Sequence, residues 1–63
     1  MKGEVTKWFT EKGFGFIQGE DGESYFTHLK FIHNQETPKV GDKVKFTEVQ
    51  ADRGKQAHNV VIL

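Results

Sequence analysis

Cysteine is absent from this 63-residue chain. That excludes a disulfide framework, a Cys-based zinc site and a thiol nucleophile. Proline occurs once, and Pro38 breaks regular structure in the polar connection Asn34 to Lys39. No apolar run approaches membrane-spanning length, and the N-terminus has no apolar segment of the signal-peptide kind. The expected location is therefore the cytoplasm, with no membrane partner. Net charge is also missing: nine Lys and Arg balance nine Asp and Glu. Nucleic-acid binders usually carry a basic footprint, so this balance counts mildly against that class unless the charges are segregated. No Walker-type glycine loop occurs. Ser24 lies in an extended stretch with no evident His and acid partners, so no enzyme, cofactor or small-molecule substrate is expected. Sixty-three residues make one small domain, residues 1–63, and leave a thin stability margin of about 2–4 kcal/mol.

What the chain does have is patterned aromatic residues. Lys12-Gly13-Phe14-Gly15-Phe16-Ile17 is followed by Tyr25-Phe26-Thr27-His28. Both stretches read as strands, because their apolar residues alternate and a turn separates them. Gln18 to Glu23 is rich in Gly and acids, which suits a hairpin loop. Successive side chains on a strand point to opposite faces. Pairing the two strands therefore sets Phe14, Phe16, Phe26 and His28 on one face, and Ile17, Tyr25 and Thr27 on the other. Were the Phe face the core, Ile17, Tyr25 and Thr27 would face water. The alternation favours an open aromatic face, flat enough for bases to stack on.

Five strands and no convincing helix are expected along the chain. They run over about Lys2–Phe9, Gly13–Gln18, Ser24–His28, Lys43–Val49 and Lys55–Ile62. Leu29 to His33 reads as a short helical turn, and Gln50 to Gly54 as a hairpin turn. Short strands at such spacing suggest an all-β fold, a small closed barrel. The expected core is Val5, Ile17, Ile32, Val44, Phe46, Val60 and Ile62.

These motifs resemble the bacterial cold-shock domain over nearly the whole chain. Lys-Gly-Phe-Gly-Phe-Ile at 12–17 and Phe-x-His at 26–28 are similar to that family's two nucleic-acid-binding motifs. Gly3-Glu4-Val5 with Trp8 resembles its first strand, Gly41 to Phe46 its fourth, and Asp52 to Val60 its closing hairpin. The resemblance implies a five-stranded antiparallel barrel of the oligonucleotide-binding (OB) type. It also implies a monomer that binds single-stranded RNA or DNA and acts as an RNA chaperone. A protein-interaction module using the same apolar patch is the alternative.

The residues expected to meet nucleic acid are Lys7, Trp8, Lys12, Phe14, Phe16, Phe26, His28, Lys30 and Phe31. Trp8 enters by parity: strict alternation sets Val5 inward and Trp8 outward, the other reading being a barrel-end core residue. The spacing Gly3-Glu4-Val5-Thr6-Lys7-Trp8-Phe9 departs from the family's Gly-x-Val-x-Trp-Phe. Leu29 stands where the family has Phe, and the following loop is shorter and lacks its aromatic residue. Phe31, at a position where the family has a small residue, stacks in their place or closes the barrel end as a core or lid residue. Lys7, Lys12 and Lys30 flank the motifs and suit phosphates. The Arg53–Lys55 turn reaches the ligand's edge or is ordinary surface. Gln56 and Asn59 read a base edge or serve the barrel end. His33 and His58 are expected in solvent. No metal site is expected, since the three histidines lie on separate elements without zinc-motif spacing.

Overall fold

The computed structural model describes residues 1–63. Five strands form: β1 (Lys2–Phe9), β2 (Phe14–Gly19), β3 (Ser24–His28), β4 (Lys43–Ala51) and β5 (Gly54–Ile62). Two 3-10 turns, Leu29–Phe31 and His33–Gln35, lie between β3 and β4. The strands close into a barrel in the order β1-β2-β3-β5-β4, with β4 returning to β1. No helix is long and apolar enough to cross a membrane. The all-β barrel agrees with the sequence reading, with one correction to its antiparallel character. β3 and β5 run parallel and meet at Phe26 and Gln56. That seam is short, and the buried Thr27 hydroxyl strengthens it by donating to the Ala57 carbonyl at 3.0 Å.

The interior is filled by Val5, Ile17, Tyr25, Ile32, Val44, Phe46, Ala57 and Val60. Six of the seven residues expected there are buried. Ile62 is the correction: it is half-buried at the end of β5 and only packs against the cluster. Tyr25 and Ala57 are the additions, and Ala57 comes from a bulge. Between β4 and β5 the register slips so that Lys45 pairs with Val61 but Thr47 pairs with His58. The extra residue falls on β5, where Asn59 adopts a left-handed φ of 52°. One extra residue resets the alternation, so Ala57 and Val60 both point inward despite their odd separation.

Tyr25 ties the core to the β2–β3 loop. Its ring lies 5.0 Å from that of Phe46, and its hydroxyl reaches outward to donate to Asp21 Oδ2. Asp21 Oδ1 accepts the Glu23 N–H at 3.0 Å. Because Tyr25 and then Glu23 donate to the carboxylate, Asp21 is held below the usual carboxylate range. The same bond, with burial, pushes the Tyr25 hydroxyl well above its ordinary value. A depressed carboxylate pKa favours folding above the unfolded-state value and loses that contribution as pH falls through the folded-state value. We therefore expect the melting temperature of the native chain to drop more steeply than that of Asp21→Asn as pH falls below the ordinary Asp value of 3.8. Parallel melting curves for the two proteins across that range would refute the assignment.

Candidate functional site

The β1-β2-β3 face is organised as two rows of cross-strand neighbours. Directly opposed residues in adjacent strands project on the same side. One row is Phe9, Phe14 and His28; the next is Lys7, Phe16, Phe26 and Gln56. The rings touch along and between rows. Centroids are 5.3 Å apart for Phe9 and Phe14, 5.6 Å for Phe14 and Phe26, and 6.0 Å for Phe16 and Phe26. Phe14, Phe16 and Phe26 are half-buried by one another, yet none joins the core cluster or packs against it. The opposite face of the same hairpin holds Ile17, Tyr25 and Thr27, all buried. The face assignment made from alternation is therefore the observed one.

Trp8 does not lie in these rows, which corrects its expected placement. Thr6 and Lys7 together oppose Phe16, because β1 bulges between Val5 and Lys7. After the bulge Lys7 projects with Phe16, Trp8 lies opposite Gly15, and Phe9 projects with Phe14. Trp8 is half-buried and packs against the core cluster. The outward aromatic of β1 is Phe9, which is 43% exposed. The sequence reading missed Phe9 because it assumed unbroken alternation; the unusual spacing around Thr6 was the available signal.

His28 is held by its neighbours. Its Nδ1 accepts the Lys30 N–H at 3.1 Å as the first 3-10 turn begins. A neutral ring bonded in that way carries its proton on Nε2, which leaves that edge free to donate. Gly13, at a left-handed φ of 73°, shapes the β1–β2 turn, and its carbonyl accepts the Leu29 N–H at 2.8 Å. The turn after His28 is thus fastened to the end of the Phe9–Phe14 row. Leu29 packs against the core, whereas Phe31 does not join it. Phe31 instead meets the His28 ring edge-on, with centroids 6.4 Å apart, and stacks on His58 at 3.8 Å. His58, expected in solvent, is half-buried, and its Nε2 lies 2.9 Å from Gln56 Oε1. The bulge at Asn59 that turns Ala57 inward turns His58 outward. His33 is exposed in the second 3-10 turn, and the three histidines form no metal-holding cluster.

Cations surround the aromatic rows. Lys7 belongs to the second row, Lys12 lies in the turn beside Phe9, and Lys30 Nζ stands 5.3 Å from the Phe31 centroid. All three are exposed. Arg53, Gly54, Lys55 and Gln56 line a groove with Phe16 and Phe26, so the β4–β5 turn borders the aromatic face. Lys55 is already engaged: its Nζ is 3.3 Å from Glu23 Oε1. Arg53 makes no ion pair within the chain. The zero net charge is only partly segregated: Glu11 lies beside Lys12 and Phe9, and Lys2 and Lys43 share a surface with Glu4 and Glu20. Glu20, Asp21 and Glu23 gather at the β2–β3 loop, beyond the polar row of Glu4, Gln18 and Ser24.

Known proteins share this architecture. The model of the 'Cold-shock' DNA-binding domain matches residues 1–63. Cold shock protein 1 of Lactiplantibacillus plantarum is 48% identical over 64 residues, covering 97% of each chain. Cold shock protein CspA of Staphylococcus saprophyticus is 49% identical over 67 residues, covering all of both. Among solved structures, the one described as "drosophila Unr CSD456" superposes with a TM-score of 0.75 at 21% identity. It covers 98% of this chain and 26% of that one, a likeness of fold alone. With a family match along its full length and bacterial relatives near half-identical from end to end, this chain belongs to the cold-shock domain family, whose members bind nucleic acid.

Proposed function

We propose that this chain binds single-stranded RNA or DNA by stacking successive bases on the Phe9, Phe14, Phe16, Phe26 and His28 face. The observation that carries the reading is the aromatic double row itself. Its four phenylalanine rings contact one another and do not pack against the core, so the barrel does not need them for its interior. Base–aromatic stacking contributes about 1–3 kcal/mol per base and tolerates any sequence, because every base has a flat face. Lys7, Lys12, Lys30 and Arg53 meet the phosphates. His28 Nε2 donates to a base edge. Holding bases apart from one another opposes intramolecular pairing, which is the action of an RNA chaperone in the cytoplasm. The protein works as a monomeric binding unit over residues 1–63, without a catalytic step.

A titration with matched single-stranded and duplex oligonucleotides tests the proposal. Single strands are expected to bind and duplexes far more weakly, because a duplex hides its base faces within its own stack. Each neutralised phosphate on a single strand adds about −0.7 to the slope of log affinity against log salt. Three to four contacts give a slope of roughly −2 to −3. Equal affinity for a duplex and its separated strands would refute stacking. A slope several times steeper would assign the binding to charge on a different surface.

A further inference from the structure

One aromatic contact lies outside the two rows and does nothing for the core. Phe31, from the 3-10 turn after His28, and His58, from β5, stack with centroids 3.8 Å apart and planes 18° from parallel. Neither ring packs into the barrel interior. Together they form a wall at the margin of the aromatic face. On one side the wall is continuous with that face. The His28 ring meets Phe31 edge-on, and His58 is tied to Gln56 at the end of the second row. Against the wall lies a cleft of about 320 Å³, lined by both rings with Lys30, His33 and Asn59 and by Ile32 and Val61. That volume falls at the small end of ligand sites. No carboxylate lines it. Lys30 Nζ already stands over the Phe31 ring.

Resting on the single-strand reading above, we infer that this cleft holds one further nucleotide of the same strand. Its base stacks against the Phe31–His58 wall, and its phosphate faces Lys30 and His33. Two features select this occupant. The cleft continues the aromatic face past His28, in reach of a strand already lying there. Its lining offers a flat apolar wall, a cation and the Asn59 amide, the complement of a base joined to an anionic phosphodiester. The wall also accounts for a large ring at position 31: it recovers a stacking position on the side where Leu29 packs against the core.

Oligothymidylates of increasing length, from about three to about eight nucleotides, separate this site from the rows. Binding is measured for the native chain, Phe31→Ala, His58→Ala and His58→Phe, with Phe16→Ala as the row control. Thermal melts first confirm that each variant folds, as expected for side chains outside the core. Phe31→Ala and His58→Ala are expected to lose about fivefold or more in affinity for the longest oligomers, and nothing for the shortest. His58→Phe, which keeps a ring in the wall, is expected to bind like the native chain. Phe16→Ala is expected to weaken binding at every length. If Phe31→Ala and His58→Ala match the native chain throughout while Phe16→Ala weakens it, no nucleotide seats in the cleft and the inference fails alone. A uniform loss at all lengths, or a loss in His58→Phe equal to that in His58→Ala, also overturns it. If the native chain binds no oligomer, the single-strand reading beneath it fails.

Discussion

Phe26→Ala and Ile17→Ala are expected to fail in opposite ways, although both remove a large apolar side chain from adjacent strands of one hairpin. Ile17 is fully buried among Val5, Tyr25, Val44 and the rest of the core. A buried large-to-small change of this kind costs about 2–5 kcal/mol, because the neighbours cannot fully close the cavity. A domain of this size without staples holds only about 2–4 kcal/mol in reserve. Ile17→Ala should therefore show no cooperative thermal transition from a native baseline. Phe26 sits between Phe14 and Phe16 in the outer rows and does not pack on the core. Its truncation should leave a cooperative melt near that of the native chain, and lower single-strand affinity roughly 5- to 150-fold. Were Phe26→Ala to melt as badly as Ile17→Ala, the two faces of the hairpin would have to be exchanged.

Gly15→Ala is expected to disable both the fold and the site with a single methyl group. Gly15 lies between Phe14 and Phe16, opposite Trp8. A Cβ there would stand 2.2 Å from the Lys7 carbonyl oxygen, 2.6 Å from Trp8 Cε3 and 2.9 Å from Trp8 Cα. Two of those atoms are backbone, so the clash cannot be relieved by a rotamer change. β1 and β2 would have to separate at the bulge that sets Lys7 beside Phe16 and Phe9 beside Phe14. Overpacking of this kind costs about 1–3 kcal/mol, comparable with the whole reserve. The expected result is a large fall in melting temperature, with weakened binding in whatever protein remains folded. A melting curve superimposable on the native one would show that the strands approach less closely at Gly15.

The first of these expectations turns on the part of the site that was legible before the structure. Phe14, Phe16, Phe26 and His28 could be assigned to one face because they lie on one hairpin, where alternation runs unbroken through a short turn. The five strands and most of the core were legible for the same reason: each is a local pattern of period two. Phe9 and Ala57 were not. Each lies beyond a bulge, and a bulge adds one residue without leaving a strong local mark, reversing every side chain after it. Trp8 was placed outward by an alternation that Thr6 interrupts. On β5 the same kind of interruption at Asn59 lets Ala57 face inward along with Val60, three residues on.

Sequence alone, then, determined the hairpin that carries the aromatic face, the strand count, the scarcity of chemistry for catalysis and the family resemblance. These rest on neighbours a few residues apart, whose spacing can be read directly. Only the tertiary structure decided which residue of β1 completes the first row. It alone decided that β3 and β5 close the barrel in parallel, and that Arg53 borders the face while Lys55 is held by Glu23. It alone stacked Phe31 on His58. Each of those depends on where two distant segments meet, and that is set by the register of five strands closing on one small core. A register can slip by one residue at a bulge, and the chain carries no local signal strong enough to say which way the next side chain will point.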